Sequence, residues 1–284
     1  MAQTARFWRS SDGALVLPAL LFYVLVYVYP MLRIAGWSFF DPNFTLKYYR
    51  EVLAEPAYFK ALRNTLEISV LVTLISLLLG YPLAYLMTTT SARARRALTV
   101  LILIPFWTSV LVRTFAWLVI LGRNGLVNRA LIELGLVDAP RQLLFNMFGV
   151  QVGMVQVLLP FMVFPLYAVM SRIDLNIVRV ARSLGAPPRK VFLHVFLPLS
   201  LPGVAAGCIL VFLLAVGFYV TPALLGGPGQ ITLATMIDMM ITTFLNFGFA
   251  ATLGIVLLVV VAAIFALVSG LLGVNRIVGS GESR

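Results

Sequence analysis

Residues 64–88 read NTLEISVLVTLISLLLGYPLAYLMT, with Glu67 near the start and no charged residue after it. About 20 mostly apolar residues in helical form cross the hydrocarbon core of a bilayer. Five other stretches share this character, roughly 15–40, 97–121, 143–170, 199–225 and 247–273. The whole chain follows them: 61% of its 284 residues are apolar, 11% are charged, and the mean hydropathy is +1.02. Soluble domains lie near half apolar and a quarter charged. Only helices and closed barrels satisfy the backbone in lipid. These runs are long and continuous, unlike the alternating segments of about ten residues that build a barrel. The sequence therefore predicts an all-α polytopic membrane protein of about six transmembrane helices.

The net charge of +11 would suggest nucleic acid in a soluble protein. In a membrane protein, basic loops instead mark the cytoplasmic side. With the N-terminus inside, the inner loops receive twelve cations, from Arg6 and Arg9 to Arg276 and Arg284, against Asp12, Asp174 and Glu282. Both termini are thus expected in the cytoplasm, and no nucleic-acid partner is implied. The first run exceeds the 7–15-residue core of a cleaved signal, so it reads as a retained span. Residues 1–14 then form a cytoplasmic N-terminus, 15–275 one membrane domain, and 276–284 a cytoplasmic C-terminus. Outside lie two amphipathic segments, YYREVLAEPAYFKAL (48–62) and NRALIELGLVDAPRQLL (128–144). Inside lie the short turn around residues 89–96 and a long loop, 171–198.

Several chemistries lack their residues. The three lysines (Lys47, Lys60 and Lys190) do not follow a glycine, so no phosphate-binding G-x-x-x-x-G-K-[ST] loop exists. His194 and Cys208 are the only residues of their types. A His/Cys metal site and a histidine-based nucleophilic triad are therefore out of reach. Cys208 reads as a small apolar packing residue. No metal, cofactor or catalytic residue is expected in the chain.

The long inner loop is unusual. Residues 180–203 read VARSLGAPPRKVFLHVFLPLSLPG, basic and proline-broken between two spans. A helix from Ser171 to Leu184 is expected, then a sharp turn at Gly185. A second short helix over about 187–195 follows, with Pro198 and Pro202 restarting the chain into the fifth span. Charge alone equally suits a loop resting on anionic lipid.

The spacing resembles the cytoplasmic signature of ATP-binding-cassette importer permeases. That signature is a Glu-Ala-Ala triplet, a glycine four residues on, and an Ile-x-Leu-Pro ending. Ala181, Gly185, Val195, Leu197 and Pro198 stand at matching places, while Arg179 and Val180 replace the Glu and the first Ala. LISLLLGYPLAYLM (74–87), LILIPFWTSVLVRTFAW (101–117), LLPFMVFPLYAVM (158–170) and VGFYVTPALLGGPG (216–229) resemble the spermidine/putrescine branch. The resemblance implies one peripheral helix plus a five-helix core in the inner membrane. It also implies a second permease subunit, two cytoplasmic ATPase subunits that bind ATP and Mg, and an outer substrate-binding protein. On this resemblance the coupling element comprises Arg179, Ala181, Gly185, Pro187, Arg189, Val191, Leu197 and Pro198.

Prolines 105, 160, 165 and 222 interrupt apolar runs, and interrupted spans are tolerated where they line a cavity. Trp107, Phe218 and Tyr219 beside such breaks would suit a cation through their ring faces, as Glu67 and Asp238 would through their charge. Each is also compatible with core packing, an interfacial belt or ordinary ion pairing. Arg113, inside the third span, would repel a polycation and is expected to have a structural partner. A polyamine is the leading substrate, with 4-aminobutyrate or an opine as alternatives. An ATP-independent carrier is the competing class, but it needs coupling carboxylates at mid-membrane depth, and none is securely placed there.

Overall fold

A computed structural model describes residues 11–40 and 43–272, and these are helical with short connections. In chain order the helices are α1 (Ser11–Tyr23), α2 (Tyr29–Trp37), α3 (Lys47–Ala54), α4 (Pro56–Thr89), α5 (Ala92–Leu103), α6 (Val110–Leu121) and α7 (Leu126–Glu133). They continue as α8 (Met147–Met170), α9 (Leu175–Ser183), α10 (Pro188–Val191), α11 (Leu197–Val216), α12 (Val220–Leu225), α13 (Leu233–Thr242) and α14 (Phe247–Leu272). Six stretches are long and apolar enough to cross a membrane: Val16–Trp37, Pro56–Thr89, Val110–Glu133, Met147–Met170, Pro188–Val216 and Phe247–Leu267.

The described chain forms two compact units. One comprises residues up to Phe59 together with Met236–Val260. Its first span buries none of its residues and presents apolar side chains on all sides, as a lipid-facing helix does. Ser38 anchors the packed end of this unit: its fully buried hydroxyl donates to Tyr49 Oη at 2.6 Å and lies 3.0 Å from Thr252 Oγ1. Phe249 packs between the rings of Tyr48 and Tyr58, at 5.7 and 5.2 Å.

The larger unit, Lys60–Thr235 with residues beyond Val261, is built around α8. Val150, Met154, Met162, Val163 and Leu166 on that helix are fully buried. Small residues let α4 and α11 approach it, as is usual between membrane helices. A Cβ on Gly80 would lie 2.9 Å from Met162 Cγ, and one on Gly207 would lie 2.7 Å from Met162 Sδ.

Two expectations are corrected. The run 97–121 is not one helix, because α5 ends in a 3-10 turn (Ile104–Trp107) and Thr108 and Ser109 separate it from α6. Pro105 opens that turn, and the extended Thr108 (ψ 146°) ends it. The chain also does not restart at Pro198. A single helical path runs from Pro188 to Val216, widened into a π turn over Phe192–Phe196, and it breaks only at residues 217–219. Proline lacks an N–H, and its ring clashes with the carbonyl four residues back. Widening the preceding turn relieves that clash without ending the helix. The same arrangement occurs in the first span, where the π turn Val24–Val28 precedes Pro30. Thus the expected short second helix over 187–195 is the start of the fifth span.

Candidate functional site

The basic element between α8 and α11 is assembled from locally satisfied parts. Asp174 caps α9, its Oδ1 accepting from the Asn176 N–H at 2.9 Å. Arg182 in the last turn complements the helix dipole at the other end. The helix ends in a Schellman motif, in which the Ala186 N–H reaches Ala181 O at 3.2 Å and the Gly185 N–H reaches Arg182 O at 3.0 Å. Gly185 has φ +83°, a conformation that disfavours any residue with a Cβ. The expected turn at Gly185 is therefore formed, and its dihedral explains the glycine. Pro187 is extended, Pro188 opens the next helical turn, and Arg189 and Lys190 project into solvent.

The coupling candidates come together here, though in different settings. Arg179, Pro187, Arg189 and Pro198 are exposed, Ala181 and Leu197 are half-buried, and Val191 is buried. Ala181, Val191, Val195 and His194 line a shallow depression of about 320 Å³ between α9 and the following helix. Among the described residues, the Arg179 guanidinium reaches only Asn176 Oδ1, at 3.4 Å.

Two features escaped the sequence reading. Ile177, Val180 and Leu184 form an exposed apolar stripe along α9, with Leu184 83% exposed. Their i, i+3, i+7 spacing was a readable signal. Behind the element, Tyr85 meets Phe192 and Phe196 edge-on at 5.8 and 5.0 Å, and Tyr81 meets Phe192 at 6.0 Å. Tyr81 Oη also lies 2.8 Å from Ser200 Oγ. Paired aromatics four residues apart on both α4 and the π turn were the signal for this interlock.

The two helix breaks of the larger unit are neighbours. Thr114 Oγ1 on α6 lies 3.5 Å from Thr221 Oγ1 on α12. Each threonine is within about two helical turns of its break at 1.5 Å per residue. Trp107, 84% exposed, stands edge-on to Phe106 at 6.4 Å, and Phe106 packs on Phe161 at 5.8 Å. At the other break Phe218 packs on the core and Tyr219 is exposed.

The charged candidates differ from one another. Glu67 lies 3.9 Å from Arg63 in an exposed i, i+4 pair, so its charge is partly answered already. Asp238 belongs to the smaller unit, half-buried on α13, and its carboxylate has no partner among the described residues. The partner expected for Arg113 is not found: its Nε and Nη1 are buried without a hydrogen bond among the described residues.

Six apolar stretches long enough to cross a membrane define a multi-pass membrane protein. Residues 69–277 match the family "Binding-protein-dependent transport system inner membrane component", and this chain belongs to it. It is 34% identical over 245 residues to the spermidine/putrescine transport system permease protein PotB of Escherichia coli K12, covering 84% of this chain and 89% of that one. The corresponding figures for PotB of Haemophilus influenzae are 35% over 252 residues, 86% and 88%. The inner membrane ABC transporter permease protein YdcU of E. coli K12 is 30% identical over 289 residues, 93% and 92%. A bacterial ABC transporter that imports alginate shares the fold at a TM-score of 0.76 and 18% identity, with 95% of this chain and 96% of that chain covered. The protein is a multi-pass inner-membrane permease subunit of an ATP-binding-cassette importer.

Proposed function

We propose that this chain forms half of the passage by which a polyamine such as spermidine or putrescine enters the cytoplasm. The observation that carries this reading is the identity of about one third to polyamine permeases across more than four-fifths of the chain. The neighbouring helix breaks support it, since exposed aromatic faces stabilise an organic cation by about 0.5–2 kcal/mol each. Trp107, Phe218 and Tyr219 line this path in our reading, with Glu67 and Asp238 attracting the cation from the outside. A binding protein delivers the substrate outside, and a second permease subunit completes the passage. Two cytoplasmic ATPase subunits bind ATP and Mg and hydrolyse ATP, while this chain contributes no catalytic group. Both termini and the loop 171–198 face the cytoplasm. Arg179, Ala181, Gly185, Pro187, Arg189, Val191, Leu197 and Pro198 carry the ATPase contact.

One observation favours a second reading. Arg113 Nε and Nη1, without a hydrogen bond among the described residues, would suit a substrate bearing a carboxylate as well as an amine, such as 4-aminobutyrate or an opine. Reconstitution of the complete transporter in vesicles separates the two. Uptake of labelled spermidine or putrescine, abolished without ATP, is expected. Uptake of only the carboxylated amines would replace the polyamine reading, and uptake independent of ATP would remove the importer mechanism.

A further inference from the structure

α5 leads into the break before α6, and its two long faces differ in kind. Ile102 is buried and Leu98 packs against the core, so this face is the attached one. The opposite face is open. Arg93 and Arg96 stand exposed near its start, and Val100, Leu101 and Ile104 follow, each more than half exposed. Spacings of three or four residues and of seven or eight put these side chains on one side of a helix.

The two arginines are not neutralised locally. Neither forms an ion pair among the described residues, and no acidic residue occurs in the sequence between Glu67 and Glu133. The change from cation to hydrocarbon along the open face is abrupt. Arg96 and Val100 are four residues apart, about 6 Å along the axis. A bilayer passes from its polar headgroups to its hydrocarbon over a similar depth, about 5–8 Å on each side. A soluble partner would leave Val100, Leu101 and Ile104 to be covered separately, whereas a phospholipid covers both parts of the face at once.

Guanidinium forks take phosphate oxygens in two-point contacts. We infer that the open face of α5 holds an anionic phospholipid such as phosphatidylglycerol, with Arg93 and Arg96 on its headgroup and its acyl chains along Val100, Leu101 and Ile104. In the proposed orientation this lipid belongs to the cytoplasmic leaflet. The contact acts on the passage by setting a depth. Arg96 and Ile104 are eight residues apart, so a headgroup held by the arginines keeps the turn that carries Phe106 and Trp107 about 12 Å further along the helix. The lipid is thus a positioning contact for the first break.

The test titrates the complete purified transporter with fluorescent phosphatidylglycerol and fluorescent phosphatidylcholine. The pair Arg93→Gln with Arg96→Gln is expected to weaken phosphatidylglycerol binding roughly five- to thirtyfold and to leave phosphatidylcholine binding unchanged. In vesicles, ATP-driven uptake by the wild type is expected to rise when phosphatidylglycerol is mixed into phosphatidylcholine, and uptake by the double variant to stay level. Equal phosphatidylglycerol affinity in the two proteins would overturn the contact. Displacement of the labelled lipid by inorganic phosphate would do the same, by showing a phosphate site that needs no acyl chain. If the variant lost the ATPase subunits while its lipid affinity held, the face would belong to that partner and the inference would fail. Wild-type uptake indifferent to phosphatidylglycerol would overturn the positioning role. Labelling of Arg93→Cys by an impermeant thiol reagent in intact cells would overturn the orientation alone and move the lipid to the other leaflet.

Discussion

Gly185 permits a test in which backbone conformation is separated from packing. A Cβ built there meets nothing within 4 Å, so the first side-chain atom of a substitution at this point has open space. What changes is the cost of φ +83°, the angle that lets the Ala186 and Gly185 N–H groups close the end of α9. For an ordinary L-residue that cost is about 1–2 kcal/mol, asparagine bears less of it, and β-branched residues bear more. Gly185→Asn should therefore retain most transport, Gly185→Ala should lose part of it, and Gly185→Val should abolish it. A penalty of about 1.4 kcal/mol lowers the population of the correct turn tenfold relative to a competing geometry. Because α9 and Pro188 are redirected rather than unfolded, all three variants should insert at normal levels. The assays are ATP-driven uptake in vesicles and co-purification of the ATPase subunits. Wild-type uptake by Gly185→Val would refute the reasoning, and so would equal losses across the series.

The proposed orientation predicts that Asp138→Cys reacts with an impermeant thiol reagent in intact cells while Arg96→Cys and Arg189→Cys are protected; labelling of Arg189→Cys from outside would remove the coupling assignment with it. Arg179→Glu is expected to weaken ATPase retention on pull-down, because among the described residues the side chain reaches only Asn176; unaltered retention would leave Ala181, Gly185 and the Leu197 and Pro198 end as the coupling element. In the interlock, Tyr81→Phe removes one hydrogen bond of about 0.5–1.5 kcal/mol net and should reduce transport per ATP hydrolysed only slightly. Tyr85→Ala removes two edge-on contacts worth about 0.5–1.5 kcal/mol each and should reduce that ratio more. Identical ratios for the two variants would show that the cluster merely fills space.

The apolar runs revealed the spans because lipid leaves the backbone so few choices. The turn at Gly185 was equally readable, since glycine between a basic helix and two prolines has few other uses. The prolines misled where they were read as stops. Nothing local in FLHVFLP announces a π turn, and whether Pro198 ends a helix or is absorbed depends on packing around Phe196 and Ser200. The break before α6 was legible at Pro105, and what the composition concealed, with Trp107, Thr108 and Ser109 inside an apolar run, was that it divides 97–121 into two helices. The unpaired state of Arg113 was invisible because a sequence does not show which side chains reach it.

The helical path from Pro188 to Val216 contains 29 residues, which at 1.5 Å each makes a rod of about 43 Å. That exceeds the roughly 30 Å of hydrocarbon it crosses. Helical hydrogen bonding continues along this length, so a tilt applied at Pro188 is carried along the path. It reaches residues 217–219, the first interruption of the helix, at Phe218 and Tyr219. Had Pro198 been the stop it resembled, the joint would sit at the membrane surface and the same tilt would be spent there. By sparing the helix at Pro198, the π turn moves the first interruption of this path to residues 217–219, where its aromatic side chains stand.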